Sequence, residues 1–361
     1  YKMIEQDAKW LTGNNVAKTI IQSSRLEKYY AYAEELVKKG RAYVCECDPD
    51  NFRILIKEKK ACKCRDLEIK EQEKRWKKMF SSYKPGEAIL RIKTDLENPN
   101  PALRDWPAFR INDHMHPKQE TKYKVWPLMN FSVVCDDHDF GITHSIRGKD
   151  HMTNEERQKQ VRQFFGWKNP EALFFGRINF KDIKLSSSET RKLIEYGEYE
   201  GWDDIRLCTL CALKRRGYQP EAFVKFAIDI GTSMTDKTVE KEEFFKILNS
   251  HNKDLIDPIA NRYFFIWDPI EFAINNATSK TAEIHVHPDF PKRGKRKLKF
   301  DRVIKITKDD FEKIKEGKLY RLMDCLNFKR KDGKLYYHSD DIETYRKKGA
   351  GIFHWLPIEE K

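Results

Sequence analysis

The sequence predicts an α/β protein whose carboxyl-terminal part is built mainly from strands. Apolar residues recur at helical spacing over residues 26–39, and Pro220 suits the first position of a later helix, whereas A-I-L-R-I-K (88–93) alternates as a strand does. From Ile266 onward the pattern changes to short alternating runs, which are separated by turn sequences such as P-K-R-G-K and K-D-G-K. These three observations indicate a mixed helical and stranded region followed by a β-rich one.

The composition favours a polyanionic partner. The chain has 361 residues, of which 35% are charged, and its formal net charge is +13. This length is sufficient for about two or three domains with substantial cores. A basic surface attracts nucleic acid. The alternative is a surface rich in ion pairs, because Lys and Glu are interleaved along the chain.

Membrane insertion and secretion are not indicated. No run of about 18 apolar residues occurs. The opening Y-K-M-I-E-Q-D does not resemble a signal peptide. We therefore expect a soluble, cytoplasmic protein with no membrane partner. Because the chain starts without Met, within amphipathic sequence, we also expect it to be a fragment.

The first clear element is an amphipathic helix over Leu26 to Lys39, with Gly40 at the position of a left-handed cap. Tyr29 and Tyr30 in this helix are interpreted as core residues, although aromatic rings also stack on bases. Further helices are predicted over residues 68–80, 201–217, from Pro220, and over 239–248, and a strand signal covers 104–111. The helix at 201–217 is expected to begin at an Asp203 or Asp204 N-cap and to end at Gly217.

Two C-x-C pairs follow the first helix, formed by Cys45, Cys47, Cys62 and Cys64. Such pairs can supply four thiolates to one tetrahedral zinc ion, which would be structural because no coordination position stays open. Two disulfides are one alternative, disfavoured without secretion, and a site that no longer binds metal is another. The other four cysteines are interpreted as core residues: Cys135, Cys208, Cys211 and Cys325.

The basic turn at residues 292–297 is expected either to meet phosphates or to be a solvated hairpin tip.

A more specific pattern lies over residues 122–193. It contains Y-K-V-W-P-L-M-N-F-S-V-V-C-D-D-H, G-I-T-H-S-I-R-G-K-D-H, F-F-G-R-I-N-F and K-L-S-S-S. This stretch resembles the second half of the active site of archaeal-type glutamyl-tRNA synthetases, which are class I enzymes of the glutamyl/glutaminyl subclass. W-L-T-G, R-D-W-P-A-F-R-I, G-W-D-D-I-R-L, L-I-D-P-I-A-N-R-Y-F-F and F-H-W-L-P extend the resemblance over essentially the whole chain.

The resemblance implies a Rossmann-type catalytic domain with an inserted α+β acceptor-binding domain, a helical stem-contact region and a terminal β-barrel. The expected segments are 1–25 (end of the first catalytic half), 26–124 (insert with the candidate zinc site), 125–188 (second catalytic half), 189–262 (helical) and 263–361 (incomplete barrel). The family's H-I-G-H loop is absent and is expected before Tyr1, with the distal anticodon-binding part after Lys361. The chain alone is therefore expected to be inactive.

The resemblance also implies a reaction. ATP with Mg2+ activates glutamate, which is then transferred to the 3′ end of tRNA-Glu by a monomeric enzyme. Whether tRNA-Gln is a second substrate stays open. A positively charged loop suits this chemistry, because the enzyme mainly stabilises charge that develops on the phosphates.

K-L-S-S-S is similar to the family's K-M-S-K-S loop, so Lys184, Ser186 and Ser188 are the expected catalytic residues. The second lysine of that loop is Ser187 here, which places more of the task on Lys184, the serines or Arg191. The alternative is a plain helix cap by Ser188.

The expected ATP-binding residues are Gly176, Arg177, Ile178, Lys184 and Leu185. The first three resemble the family's G-R-L segment. The alternative for that segment is a buried strand with an edge Arg.

Substrate choice is expected to depend on Arg147, because a guanidinium binds a carboxylate with two hydrogen bonds and Lys does so less well. The alternative is an Arg147 that only pairs with Asp136 or Asp150. Met129 is the second expected substrate-binding residue. Relatives usually have Tyr there, whose hydroxyl contacts the amino-acid substrate, and Met cannot donate that hydrogen bond. The D-D-H at residues 136–138 is expected to fix a strand turn and the substrate pocket rather than to hold a metal ion.

The sequence leaves two alternative functions open. The nearer one is a glutaminyl-tRNA synthetase, which Arg147 disfavours because the glutaminyl relatives have a residue that is not basic there. The other is a non-catalytic tRNA-binding protein derived from a synthetase, which the missing H-I-G-H loop and Ser187 favour.

Overall fold

A computed structural model describes residues 2–182 and 185–359. The chain divides into two units, residues 1–252 and 253–361, and the division falls within one long helix. The finer division into five segments stays a prediction. Within the described ranges, no helix combines the length and the apolar character needed to cross a membrane.

The first unit is rich in helices. Its α-helices are α1 (Lys2–Leu11), α2 (Leu26–Lys38), α3 (Pro49–Lys57), α4 (Ile69–Met79), α5 (Met129–Asp139), α6 (Met152–Phe165), α7 (Ser187–Glu195), α8 (Leu210–Arg215), α9 (Pro220–Ile230) and α10 (Lys241–Ile256), the last of which contains the division. Its strands are β1 (Ala42–Cys45), β2 (Ile89–Ile92), β3 (Pro107–Ile111), β4 (Val125–Pro127), β5 (His144–Gly148), β6 (Glu171–Phe175), β7 (Ile178–Phe180) and β8 (Lys237–Val239).

Strands β1 to β4 form an antiparallel sheet in sequence order. One core lies against it and contains the apolar face of α2, so Tyr29 is fully buried and Tyr30 packs at its edge. The core assignment of these two tyrosines is therefore confirmed, as is the left-handed Gly40 after α2. Cys135 is buried in the same core, whereas Cys208 and Cys211 are only half-buried.

A parallel βαβ unit carries the pocket described below. β5 pairs with β6 in register from His144–Glu171 to Gly148–Phe175, and α6 connects the two strands. Gly166 ends α6 with φ +70, a conformation that residues with a Cβ rarely adopt. Because the strands are parallel, their carboxyl ends lie at the same edge, where Arg147 and Gly148 are found.

The second unit is a β structure with two short helices, α11 (Lys308–Glu312) and α12 (Ile342–Lys348). Its strands are β9 (Pro269–Asn275), β10 (Lys280–His285), β11 (Lys295–Phe300), β12 (Val303–Thr307), β13 (Leu319–Leu322), β14 (Asn327–Lys331), β15 (Lys334–Ser339), β16 (Gly349–Phe353) and β17 (Leu356–Pro357). Seven strands pair in the order β16-β13-β14-β15-β9-β12-β17, and β10 pairs with β11. The predicted β-rich region is confirmed, while closure into a barrel stays a prediction. Cys325 is buried in this unit's core, as expected.

One predicted helix is wrong at its start. Helix α8 begins at Leu210 with Thr209 as its N-cap, not at Asp203 or Asp204. The carboxylate of Asp204 instead accepts hydrogen bonds from the backbone N–H groups of Glu200 and Arg206, which fixes a turn. Aspartate caps helices and stabilises turns by the same kind of bond, so the sequence alone does not separate the two.

Candidate active site and thiolate cluster

A pocket of about 340 Å3 lies at the carboxyl end of β5, in the first unit. Its walls include Met129, Ile146, Arg147, His151, Gln158 and Phe175. Met129 is the first residue of α5 and is 46% exposed. The structure thus brings together Arg147 and Met129, the two residues expected to contact the amino acid.

The guanidinium of Arg147 is mostly buried and contacts three side chains. Its Nη1 donates to Gln158 Oε1 at 2.8 Å and to Glu155 Oε2 at 3.1 Å. Its Nη2 lies 3.5 Å from Asp137 Oδ2. Arg147 is therefore paired with acidic side chains, as the alternative expected, but the partners are Asp137 and Glu155 and not Asp136 or Asp150.

A second arginine shares these partners. Arg162 Nη1 donates to Glu155 Oε1 and Arg162 Nη2 to Asp137 Oδ2, both at 2.8 Å. Burial raises the pKa of Asp137, although the nearby Arg162 and Arg147 oppose this effect. The result is a network of two cations, two carboxylates and one amide beside the pocket.

Sequence reasoning missed three members of this network: Glu155, Gln158 and Arg162. They are spaced i, i+3 and i+7 along α6, which puts them on one face. In a chain with 35% charged residues, polar side chains at helical spacing usually mark a solvated surface. Their burial becomes visible only when β5 and α5 are packed against that face.

The expectation that the D-D-H residues fix a strand turn is wrong, because they lie near the end of helix α5. Asp136 accepts hydrogen bonds from Tyr29 and Arg25, and Asp137 belongs to the arginine network. The ring of His138 stacks on Trp167 with centroids 3.9 Å apart. These three side chains therefore have separate packing partners.

The expected ATP segment joins β6 to β7. A Cβ at Gly176 would lie 2.2 Å from the carbonyl oxygen of Thr235, so only glycine fits this close approach. The N–H of Gly176 donates to Ser233 O, and the N–H of Arg177 donates to Asp236 Oδ1 at 2.7 Å. The backbone N–H groups of Gly176 and Arg177 are thus already engaged within the chain, whereas the Arg177 side chain is exposed.

The K-L-S-S-S loop precedes α7. Lys184 lies outside the described residues, and Leu185 is 60% exposed. Ser186 is the N-cap of α7 and accepts a hydrogen bond from the N–H of Glu189 at 3.3 Å. The alternative that Ser188 caps this helix is therefore wrong, because Ser188 lies inside its first turn.

The four cysteines of the C-x-C pairs meet in one place, between the end of β1 and the turn before α4. All four sulfur atoms lie within 4.8 Å of one another, with Cys45–Cys62 at 3.9 Å and Cys47–Cys64 at 3.8 Å. Zinc–sulfur bonds of about 2.3 Å in a tetrahedron separate the sulfurs by about 3.8 Å. The cluster therefore fits a tetrahedral zinc ion. Arg75 Nη1 lies 3.5 Å from Cys64 Sγ, where it would offset the negative charge of a metal-bound thiolate.

The second unit brings together Asp257, His287 and Asp289, another group of potential ligands. Here a guanidinium already supplies the positive charge: Arg262 donates to Asp257 at 2.8 and 3.0 Å and to Asp289 at 3.3 Å. Hydrogen bonding from Arg262 lowers the pKa of Asp257 to about 2. We interpret this group as an ion-pair network rather than as a metal site.

Both units of the chain match models of one protein class, the class I tRNA synthetases. The chain matches the family model of the catalytic domain of class I tRNA synthetases (E and Q) over residues 1–255. It matches the anti-codon binding domain of the same class over residues 260–345. The chain belongs to this family of class I synthetases, as its residues indicated.

Similar proteins are found among archaea. A glutamate–tRNA ligase of Pyrococcus horikoshii is 48% identical over 331 residues, which cover 91% of this chain and 57% of that protein. One of Methanocaldococcus jannaschii is 43% identical over 364 residues, which cover 100% of this chain and 64% of that protein. The chain thus spans about three fifths of the length of these relatives. A crystal structure of a glutamate tRNA ligase from Elizabethkingia meningosepticum aligns with a TM-score of 0.45 and 17% identity, over 72% of this chain and 60% of that one.

Proposed function

We propose that the natural protein is a glutamate–tRNA ligase, which activates glutamate with ATP and transfers it to the 3′ end of tRNA-Glu. The relatives named above carry this activity in their names. The observation that carries the proposal within this chain is the Arg147 guanidinium in the wall of a pocket of about 340 Å3. A guanidinium at this position suits a substrate whose side chain ends in a carboxylate.

Glutamine is the neutral counterpart of glutamate, so the pocket has to distinguish an amide from a carboxylate. An arginine favours the carboxylate through charge and through two parallel hydrogen bonds. Met129 supplies an apolar wall for the methylene groups and leaves the polar recognition to Arg147. This arrangement favours glutamate over the glutaminyl alternative.

For ATP and its Mg2+ we propose contacts from the exposed Arg177 side chain, from Leu185, and from the K-L-S-S-S loop. Gly176 and Ile178 would form the surface beneath adenine. Lys184 and the serine hydroxyls of Ser186 and Ser188 would stabilise charge on the phosphates as the carboxylate of glutamate attacks the α-phosphate. Because Ser186 also caps α7, the loop and the helix are coupled.

We propose that the cluster of Cys45, Cys47, Cys62 and Cys64 holds a structural zinc ion. The sulfur separations of 3.8 and 3.9 Å exceed a disulfide bond of about 2.05 Å and agree with a tetrahedral site. Four thiolates leave no position for substrate, so the ion would stabilise the sheet that begins with β1. Chemistry would stay with the pocket at β5.

The domain plan is part of the same proposal. Residues 26–124 would contact the acceptor stem of the tRNA, and the helical residues 189–262 would also contact the stem. Residues 263–361 would form an anticodon-binding barrel. The net charge of +13 agrees with an RNA partner. A monomeric, cytoplasmic enzyme completes the proposal.

The experiment that tests the function is amino-acid-dependent exchange of pyrophosphate into ATP by the full-length natural protein. Glutamate is expected to support exchange and glutamine is not. Exchange with glutamine alone would identify the glutaminyl alternative. Absence of exchange with either amino acid, together with tight tRNA binding, would identify a non-catalytic tRNA-binding protein.

A further inference from the structure

Helix α6 turns three buried polar side chains toward Arg147. Glu155, Gln158 and Arg162 are each 1% exposed. Burying charged groups is unfavourable unless each one finds its partners, so such a set is expected where it serves a purpose beyond packing. The distances within the network indicate what that purpose is.

The two arginines are not equivalent. Arg162 contacts the carboxylates of Glu155 and Asp137 at 2.8 Å each. Arg147 lies farther from the same two carboxylates, at 3.1 and 3.5 Å, and its shortest bond is to the neutral amide of Gln158, at 2.8 Å. The carboxylates are therefore bound mainly to Arg162, which is the more deeply buried arginine.

We propose that Arg162 and Gln158 are positioning residues for Arg147. Arg162 binds Glu155 and Asp137 more closely than Arg147 does, so these carboxylates hold Arg147 less tightly and its guanidinium can bind a substrate carboxylate. Gln158 fixes the direction of the guanidinium without neutralising it. This inference rests on the proposed function, in which Arg147 selects glutamate.

The amide of Gln158 is itself held in one orientation. Its Nε2 donates to Asn130 Oδ1 at 3.3 Å, and Asn130 Nδ2 donates to Asn154 Oδ1 at 3.1 Å. Because the nitrogen is used in this way, the Oε1 atom faces the arginines, and it lies 3.3 Å from Arg162 Nη2 as well. Asn154 Nδ2 lies 3.0 Å from Nδ1 of His151, which lines the same pocket, so the amide chain extends to the pocket wall.

The decisive variant is Gln158→Glu in the full-length natural protein. It keeps the size of the side chain but puts a carboxylate at the shortest contact of Arg147. We expect the KM for glutamate in pyrophosphate exchange to rise roughly tenfold to a hundredfold, with a much smaller change in kcat. The preference for glutamate over glutamine should fall in parallel.

Gln160→Glu is the matched control, since it adds the same charge on the same helix. Gln160 accepts a hydrogen bond from Trp106 Nε1 at 2.8 Å, away from the network, and a carboxylate can accept it equally well. We expect this variant to retain the wild-type KM. Thermal unfolding verifies that each variant is folded.

Gln158→Met provides a second test that introduces no buried charge. It removes the bond that orients Arg147, so the KM for glutamate should rise while the KM for ATP stays unchanged. A folded Gln158→Glu or Gln158→Met enzyme with wild-type KM and wild-type selectivity would overturn the inference. Failure of the wild-type enzyme to use glutamate would instead overturn the proposed function, so the two failures are distinguishable.

Discussion

The hydroxyl of Tyr29 lies 2.8 and 2.7 Å from the two carboxylate oxygens of Asp136. This pair joins α2, which precedes the antiparallel sheet, to α5, whose first residue lines the pocket. Burial and the neighbouring Asp136 raise the pKa of Tyr29, so the phenol keeps its proton and donates it. Arg25 Nε donates to the same carboxylate at 2.8 Å, which compensates its charge.

Tyr29→Phe removes only the hydroxyl from a fully buried ring. We expect the free energy of unfolding to fall by about 1–3 kcal/mol, because Asp136 then lacks one of its buried donors. Urea unfolding monitored by fluorescence measures this change. Tyr196→Phe is the control, since Tyr196 is 79% exposed, and an equal loss in both variants would contradict the assigned role.

The cluster of Cys45, Cys47, Cys62 and Cys64 predicts one zinc ion per chain in metal analysis of the purified protein. Cys62→Ser should lose the ion and lower the midpoint of thermal unfolding by about 5 °C or more, because metal binding contributes to folding. A strong chelator should have the same effect on the wild-type protein. Cys208→Ser lies outside the cluster and is expected to keep the zinc; a zinc-free but equally stable wild-type protein would refute the metal site.

The pKa of Asp257 predicts an acid-sensitive part of the stability. Since Arg262 lowers this pKa to about 2, the carboxylate contributes stability above its ordinary pKa of 3.8, and this contribution is lost as the pH falls toward 2. Asp257→Asn should therefore flatten the decline in unfolding free energy between about pH 4 and pH 2. Asp254→Asn, at an exposed aspartate, should leave the decline unchanged.

The two serines of the K-L-S-S-S loop are expected to differ. Ser186→Ala removes the cap of α7 and should reduce stability by about 1 kcal/mol in addition to any loss of activity. Ser188→Ala should reduce kcat with little change in the unfolding midpoint. Steady-state kinetics and thermal unfolding of both variants separate the two effects, and unchanged kcat in both would remove the serines from the reaction.

The sequence predicted the parts of the fold that depend on local chemistry. Periodicity and cap residues predict three of its elements, namely helix α2 with Gly40, helix α9 with Pro220 at its start, and strand β2. The meeting of Cys45, Cys47, Cys62 and Cys64 also follows, because two C-x-C pairs so close together in the sequence can supply four ligands to one metal ion.

The sequence did not predict the network around Arg147 and Arg162, because that network depends on tertiary packing. Glu155 and Arg162 have the composition of a solvated helix face, and only contact with β5 and α5 buries them. The same limitation explains Asp204, whose hydrogen bonds belong to a turn that resembles a helix start in the sequence. Local patterns predict an element, whereas the partners of a buried charge are decided by distant residues.

The most direct test of the account is the ratio of kcat/KM for glutamate between the wild-type enzyme and Arg147→Gln, measured by pyrophosphate exchange in the full-length natural protein. The account predicts a loss of about a hundredfold or more, because the substrate carboxylate loses its only assigned cation. A variant that activates glutamate as efficiently as the wild type would contradict the central role of Arg147.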